Sequence, residues 1–351
     1  MTELTPRERV MRVFRRESVD TMPFFSGFGM VVLPAVKELG YRFAQVHTDA
    51  EKLVNSAVLS SRMYGFDSVV VPFDMCVESE ALGNQVSLYE NSEDILYPTI
   101  PNKKWKGLEE VEIPGNLLEL GRIPMVMKAI SMAKKEAPDH AIGAWQLGPF
   151  TMAGQFIELD IMLKGVFKQK KLVEEALDKF SDMIIELGNA QLAAGADYLT
   201  LREMGTGSDL LSPRTWKTMI QPRMKRILAA WDAPKVLHIC GATDLIIEMM
   251  AECGADALSV DIKNTLSESR KKIGNDALLF GNFDVFALPC KAETTVEKAV
   301  EGIKTNIDGG VDAVWPGCDL WPDIKDENMR AIVKTAREYG RPASPALGRL
   351  S

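Results

Sequence analysis

The chain has 351 residues, 46% of them hydrophobic and 26% charged, with a formal net charge of −8. That composition supplies a large core and argues against disorder, and an acidic chain without a long basic run makes a poor partner for nucleic acid. No apolar run approaches the roughly 20 residues needed to cross a bilayer, and Met1 to Arg9 lacks the apolar core of a signal peptide, so the expectation is a cytoplasmic protein with no membrane partner.

In chain order, Thr5-Pro6 reads as a helix cap followed by proline at the first helical position. Short β-branched runs then alternate with longer helical stretches, the pattern of a parallel α/β fold. Eight strands are expected, beginning near Met22-Pro23-Phe24, Ser68-Val69-Val70-Val71, Ala141-Ile142-Gly143-Ala144 and Tyr198-Leu199-Thr200-Leu201. The second four begin near Lys235-Val236-Leu237, Ala257-Leu258-Ser259-Val260, Ala277-Leu278-Leu279-Phe280 and Ala313-Val314-Trp315. Gly195-Ala196-Asp197, Gly254-Ala255-Asp256 and Gly310-Val311-Asp312 each read as a helix-ending glycine and a turn into the next strand. The basic stretch Lys168 to Lys171 reads as the solvated end of a helix.

Eight such units without a Pro-, Gly- or Ser-rich linker predict one α/β domain over residues 1–351. Its form is a single (β/α)8 TIM-type barrel with an N-terminal helix. A doubly wound open sheet is disfavoured, because no Gly-x-Gly-x-x-Gly loop follows the first strand. Residues 83–119, after the second strand, are polar and proline-dotted and read as an insertion that caps the active site.

Barrel chemistry sits where strands end. Those ends carry Asp74, Trp145 with Gln146, Arg202 with Glu203, His238 with Cys240, Asp261, Asn282 with Asp284, and Cys318 with Asp319. Five widely spread cysteines do not form a disulfide framework. His238 and Cys240, two apart on a strand, project to one side, and Cys318 follows the eighth strand across the mouth. A lone His-x-Cys would read as buried filler. With the third donor, one nitrogen and two sulfurs suit zinc and leave a fourth position open, the catalytic pattern. Cys76, Cys253 and Cys290 read as structural.

The stretch His238-Ile239-Cys240-Gly241, followed by Cys318, resembles the zinc motif of methylcobamide:coenzyme M methyltransferases in the uroporphyrinogen decarboxylase superfamily. The likeness runs nearly end to end, through Thr5-Pro6-Arg7-Glu8-Arg9, Val71-Pro72-Phe73-Asp74, Gly148-Pro149-Phe150, Leu211-Ser212-Pro213, Leu258-Ser259-Val260-Asp261, Gly281-Asn282 and Pro316-Gly317-Cys318. The resemblance implies a barrel, a Zn2+ ion and a corrinoid (cobalamin) supplied by a partner corrinoid protein. It also makes Asp261 the acidic residue beside the metal, with Glu203 as its competitor for the fourth position or its surroundings. Decarboxylases follow the first strand with Met-Arg-Gln-Ala-Gly-Arg, whose arginines grip carboxylates; here the loop is Phe24-Phe25-Ser26-Gly27-Phe28-Gly29-Met30, which offers no cation.

Two transfers fit a zinc site beside a corrinoid. A thiol can take the methyl from methyl-cobalt, or an activated methyl ether can give its methyl to reduced cobalt. Trp145, Trp315 and Trp321, with Phe150 and Phe283 nearby, either suit a flat apolar substrate or pack the loops. Arg202 is expected to grip an aromatic carboxylate, and Glu203 to bind the metal or manage the phenol proton, or the two to form a structural ion pair. Asp74, Asn282 and Gln146 would orient substrate or corrinoid. The leading expectation is the first methyltransferase of an O-demethylase acting on methoxylated aromatics. The alternative is a methyl-corrinoid:thiol (coenzyme M) methyltransferase. A non-catalytic corrinoid-protein-binding module is a third class, disfavoured because binding alone needs no open zinc position.

Overall fold

The structure, a computed structural model, describes residues 3–340. Seven parallel strands pair in chain order: β1 (Ser68–Val70), β2 (Ala141–Leu147), β3 (Tyr198–Glu203), β4 (Lys235–Ile239), β5 (Ala257–Val260), β6 (Leu278–Phe283) and β7 (Ala313–Pro316). Parallel neighbours joined by helical returns curl the sheet into a barrel with its helices outside. These are the second to eighth expected strands.

The first expected strand closes the barrel as a single bridge rather than a regular strand. Phe24 pairs with Val314 of β7, the Val314 N–H donates to the Pro23 carbonyl at 3.1 Å, and the Phe25 N–H donates back to Val314 at 3.3 Å. On the other flank the Asp67 N–H donates to the Phe24 carbonyl at 2.8 Å, just ahead of β1. Pro23 has no N–H for the ladder, which limits the strand to these few bonds.

Helix Pro6–Phe14 plugs the amino-terminal end of the barrel. Thr5 caps it by accepting from the Glu8 N–H at 3.1 Å, and Pro6 pre-sets its first turn. Val10, Val13 and Phe14 share the face that packs against Phe25, Tyr198, Phe280 and Trp315 inside the barrel. Arg9 fixes the plug by pairing with Asp67 at 2.6 Å and Asp20 at 2.7 Å. Gly195, Gly254 and Gly310 all take positive φ, +120°, +83° and +87°, the left-handed conformation expected where each unit turns into its next strand. Lys168 to Lys171 spans the junction of two helices, Leu159–Lys168 and Lys170–Ala194, rather than a single helix end.

The 83–119 segment holds only two short 3-10 turns, Leu108–Glu110 and Leu117–Glu119, and one antiparallel bridge, Ser87 to Thr99. Trp105 anchors it against Phe156, ring centroids 4.5 Å apart. Tyr97 packs on Phe43 at 5.2 Å and on Phe73 at 5.4 Å, which lays the segment over the carboxyl end of β1. No helix among the described residues is long and apolar enough to cross a membrane.

Candidate functional site

Strand register assembles the site. Arg202 of β3 lies opposite His238 of β4, and His238 opposite Ser259 of β5. A two-residue period turns all three into the barrel. His238 is fully buried, with Nδ1 3.0 Å from Ser259 Oγ and Nε2 3.1 Å from Cys240 Sγ. The Phe28 ring meets it edge-on at 4.6 Å. Burial, reinforced by the Arg202 cation, holds His238 down to about 3. It is therefore neutral, as a metal-ligating imidazole must be.

Cys240 lies just past β4, where its N–H donates to the Glu203 carbonyl at 3.2 Å and Gly241 turns the chain with φ +86°. Cys318 follows Gly317, where an added Cβ would sit 2.6 Å from Ile262 and 3.1 Å from the Asn282 carbonyl, so this loop tolerates only glycine. The Cys240 and Cys318 thiols hydrogen-bond each other. That bond, with burial, pushes Cys240 up, whereas Cys318, the acceptor, is held below its ordinary value by the same bond. Arg202 favours the ionised form of both. One neutral imidazole and two neighbouring thiols, one of them held below its ordinary value, make a nitrogen-and-sulfur donor set of the kind zinc prefers. The donors meet pairwise; among the described residues no three His, Cys, Asp or Glu side chains are drawn into one ion-binding shell.

Asp261 lies near enough to raise Cys240, and its carboxylate also accepts from the Lys263 N–H at 2.9 Å. Glu203 is a correction. One position on from Arg202, it faces the helices instead of the barrel, and its carboxylate accepts from the Phe150 N–H at 3.0 Å, the Thr151 N–H at 2.9 Å and the Thr151 hydroxyl. It caps helix Pro149–Phe156, and its hydrogen bonds go to that helix and to the Gly205 N–H.

Other expected site residues also move to structural work. Trp315 is fully buried inside the barrel, stacked on Phe280 at 5.2 Å, with Phe25 edge-on at 5.0 Å. Trp145 is buried and donates its indole N–H to the Pro72 carbonyl at 3.0 Å. Phe150 and Phe283 belong to the core as well. The Asn282 amide is spent on the Asp261 and Asn264 carbonyls, both at 2.9 Å, and ties two mouth loops together. Gln146, next to Trp145 on β2, takes the opposite, helix-facing side by alternation and is buried. Asp74 is held by Arg122 at 2.7 Å and by His47 at 3.3 Å, and its carboxylate caps the Cys76 N–H at 2.9 Å. Of the remaining cysteines, Cys76 and Cys253 are buried and donate to backbone carbonyls, each at 3.2 Å, and Cys290 is half-buried.

Where Asp319 follows Cys318 in the chain, a cavity of about 430 Å³ opens under the inserted segment, walled by Phe73, Met75, Tyr97, Ile100, Leu320 and Trp321. Asp74, Arg202 and Asp319 supply its charges. Arg202 is fully buried and ion-paired with Asp319, and its guanidinium carbon lies 4.6 Å from the Trp145 ring and 4.7 Å from that of Phe28. The residues that sequence reasoning passes over as site members are Ser259, Phe28 and Tyr97, and Asp319 is named at its strand end without a role. Ser259 carries a signal, two positions before Asp261 on the same face. Phe28 and Tyr97 carry none that separates them from packing.

The chain is similar to known proteins along nearly its whole length. The model of the uroporphyrinogen decarboxylase (URO-D) family matches residues 5–339. The methylcobamide:CoM methyltransferase MtaA of Methanosarcina barkeri is 31% identical over 343 residues, covering 97% of this chain and 99% of that protein. The methylcobamide:CoM methyltransferase MtbA of Methanosarcina acetivorans is 28% identical over 344 residues, with the same coverage of 97% and 99%. Among solved structures, a methyltransferase from Methanosarcina mazei superposes with a TM-score of 0.89 at 28% identity, covering 96% of this chain and 99% of that one.

Proposed function

The chain belongs to the uroporphyrinogen decarboxylase family, and on that premise we propose that it is a zinc- and corrinoid-dependent methyltransferase that moves a methyl group between a corrinoid protein and a small thiol. The observation that carries this reading is the meeting of His238 Nε2 with Cys240 Sγ at 3.1 Å, and of Cys240 with Cys318, at the mouth of the barrel. The full-length likeness to methylcobamide:CoM methyltransferases supports it.

His238, Cys240 and Cys318 would hold the ion, which when bound supplies Lewis acidity to a thiol or an ether oxygen at neutral pH. Ser259 fixes the imidazole: a His238 that donates Nδ1–H to Ser259 Oγ presents the Nε2 lone pair to the ligand position. Phe28 packs the buried flank of the ring and excludes water there. Arg202 keeps positive charge beside the two sulfurs and stabilises their ionised state. The adjoining cavity gives the small substrate an apolar seat. The corrinoid would arrive on a partner protein, and Asp261 would be the acidic residue beside the ion.

A second reading, methyl transfer from a methoxylated aromatic, is favoured by the rings of Phe73, Tyr97 and Trp321 around the cavity. It no longer rests on Trp145 and Trp315, which are buried. Zinc-loaded protein is incubated with methylcobalamin and a thiol, and in parallel with cob(I)alamin and a methoxybenzene, while corrinoid absorbance is followed. Demethylation of methylcobalamin, abolished in Cys240→Ala together with zinc, is the expected result. Methyl transfer that survives loss of zinc would refute the reading, and activity only in the parallel sample would transfer the assignment to methyl ethers.

A further inference from the structure

The charges around the cavity are already matched. Asp74 is neutralised from behind by Arg122 at 2.7 Å, and Arg202 by Asp319 on the cavity wall. No other cation belongs to the lining. Arg202 nonetheless has capacity left: it is fully buried, it bonds Asp319 through one terminal nitrogen, and its Nε and its other terminal nitrogen have no hydrogen-bond partner among the described residues. Trp145 and Phe28 clamp the guanidinium plane, so these donors cannot swing to find water.

Buried donors without acceptors call for an acceptor from the ligand, but the ligand that satisfies them need not bring charge. Asp319 already balances the charge of Arg202, so an anionic group would be a second negative charge beside one cation, left uncompensated in an apolar seat. Resting on the proposed methyltransferase reading, we infer that the small-molecule substrate is uncharged apart from its reacting group and offers Arg202 a neutral oxygen, and that Asp319 is the specificity-determining residue that excludes anionic substrates. The relatives are named for coenzyme M; as 2-mercaptoethanesulfonate, an anion, it would be a poor substrate here.

The test uses two thiols of equal chain length, 2-mercaptoethanol and 2-mercaptoethanesulfonate, with zinc-loaded full-length protein and methylcobalamin. The wild type should show a kcat/KM at least tenfold higher for the neutral thiol. Asp319→Asn should narrow or invert that ratio at least tenfold, chiefly through the KM of the sulfonate. A wild-type preference for the sulfonate, or a ratio unmoved by Asp319→Asn, overturns the inference. If neither thiol demethylates methylcobalamin, the reading as a thiol methyltransferase has failed and the charge preference is decided separately. Binding of the same two compounds is then followed through Trp321 fluorescence, with Trp321→Phe as control. Binding of the neutral compound alone sustains the inference; binding of the sulfonate, or of neither, ends it.

Discussion

Replacing Glu203 by alanine should destabilise the protein without removing its metal. The carboxylate accepts from the backbone N–H groups of Phe150 and Thr151 at 3.0 and 2.9 Å, and from the Thr151 hydroxyl. It is fully buried, so water cannot replace it. Each buried donor left without a partner costs about 1–3 kcal/mol, and loss of a helix cap costs about 0.5–2 kcal/mol. The two backbone donors are the cap, so the terms overlap, and a loss of about 2–4 kcal/mol is expected. That is less than the roughly 5–15 kcal/mol of a typical domain, so the variant should fold. Glu203→Gln keeps one acceptor oxygen and should lose about half as much. Urea unfolding supplies the number from the shift in midpoint at constant slope, and zinc per chain is measured on the same samples. Unchanged stability with zinc lost would refute the assignment of Glu203 to the helix and return it to the metal.

Glu78 is buried, and desolvation lifts it to about 7 from an ordinary 4.5. A raised carboxyl carries no folding penalty below the unfolded value; the penalty grows as pH rises from about 4.5 and is complete above 7, where it reaches about 3 kcal/mol. Glu78→Gln should therefore stabilise the protein at pH 8 and leave it unchanged near pH 4, as denaturant titrations at the two pH values will show. Asp74→Asn takes from buried Arg122 one of its two carboxylate partners, Glu80 at 2.6 Å remaining, so unfolding should show a loss of about 1–3 kcal/mol. Trp315→Ala opens the barrel core and should cost about 3–5 kcal/mol; a changed KM with unchanged stability would return Trp315 to the substrate pocket.

Much of the barrel is legible in the sequence because its strands are short β-branched runs, several preceded by a glycine that must turn left-handed, as at Gly195, Gly254 and Gly310. The closing strand is visible by composition but not by length, since Pro23 withholds a donor. The donors His238 and Cys240 declare themselves through strand alternation, a local rule. Glu203 misleads because a strand end marks only the functional level of the barrel, while parity decides which side a residue faces. That parity becomes visible once Arg202 is registered against His238. Trp315 misleads in depth: it precedes Cys318 by three residues yet points into the core. The Arg202–Asp319 pair joins β3 to the loop after β7 across the mouth, and only closure of the barrel brings the two together.

Zinc K-edge X-ray absorption on the reconstituted protein, before and after addition of a thiol, tests the central claim most directly. The account predicts one zinc per chain with two sulfur ligands at about 2.3 Å and a nitrogen at about 2.0–2.1 Å, a third sulfur on thiol addition, and loss of the ion in Cys240→Ser. A protein that binds no zinc, or a spectrum that Cys240→Ser leaves unaltered, would contradict it.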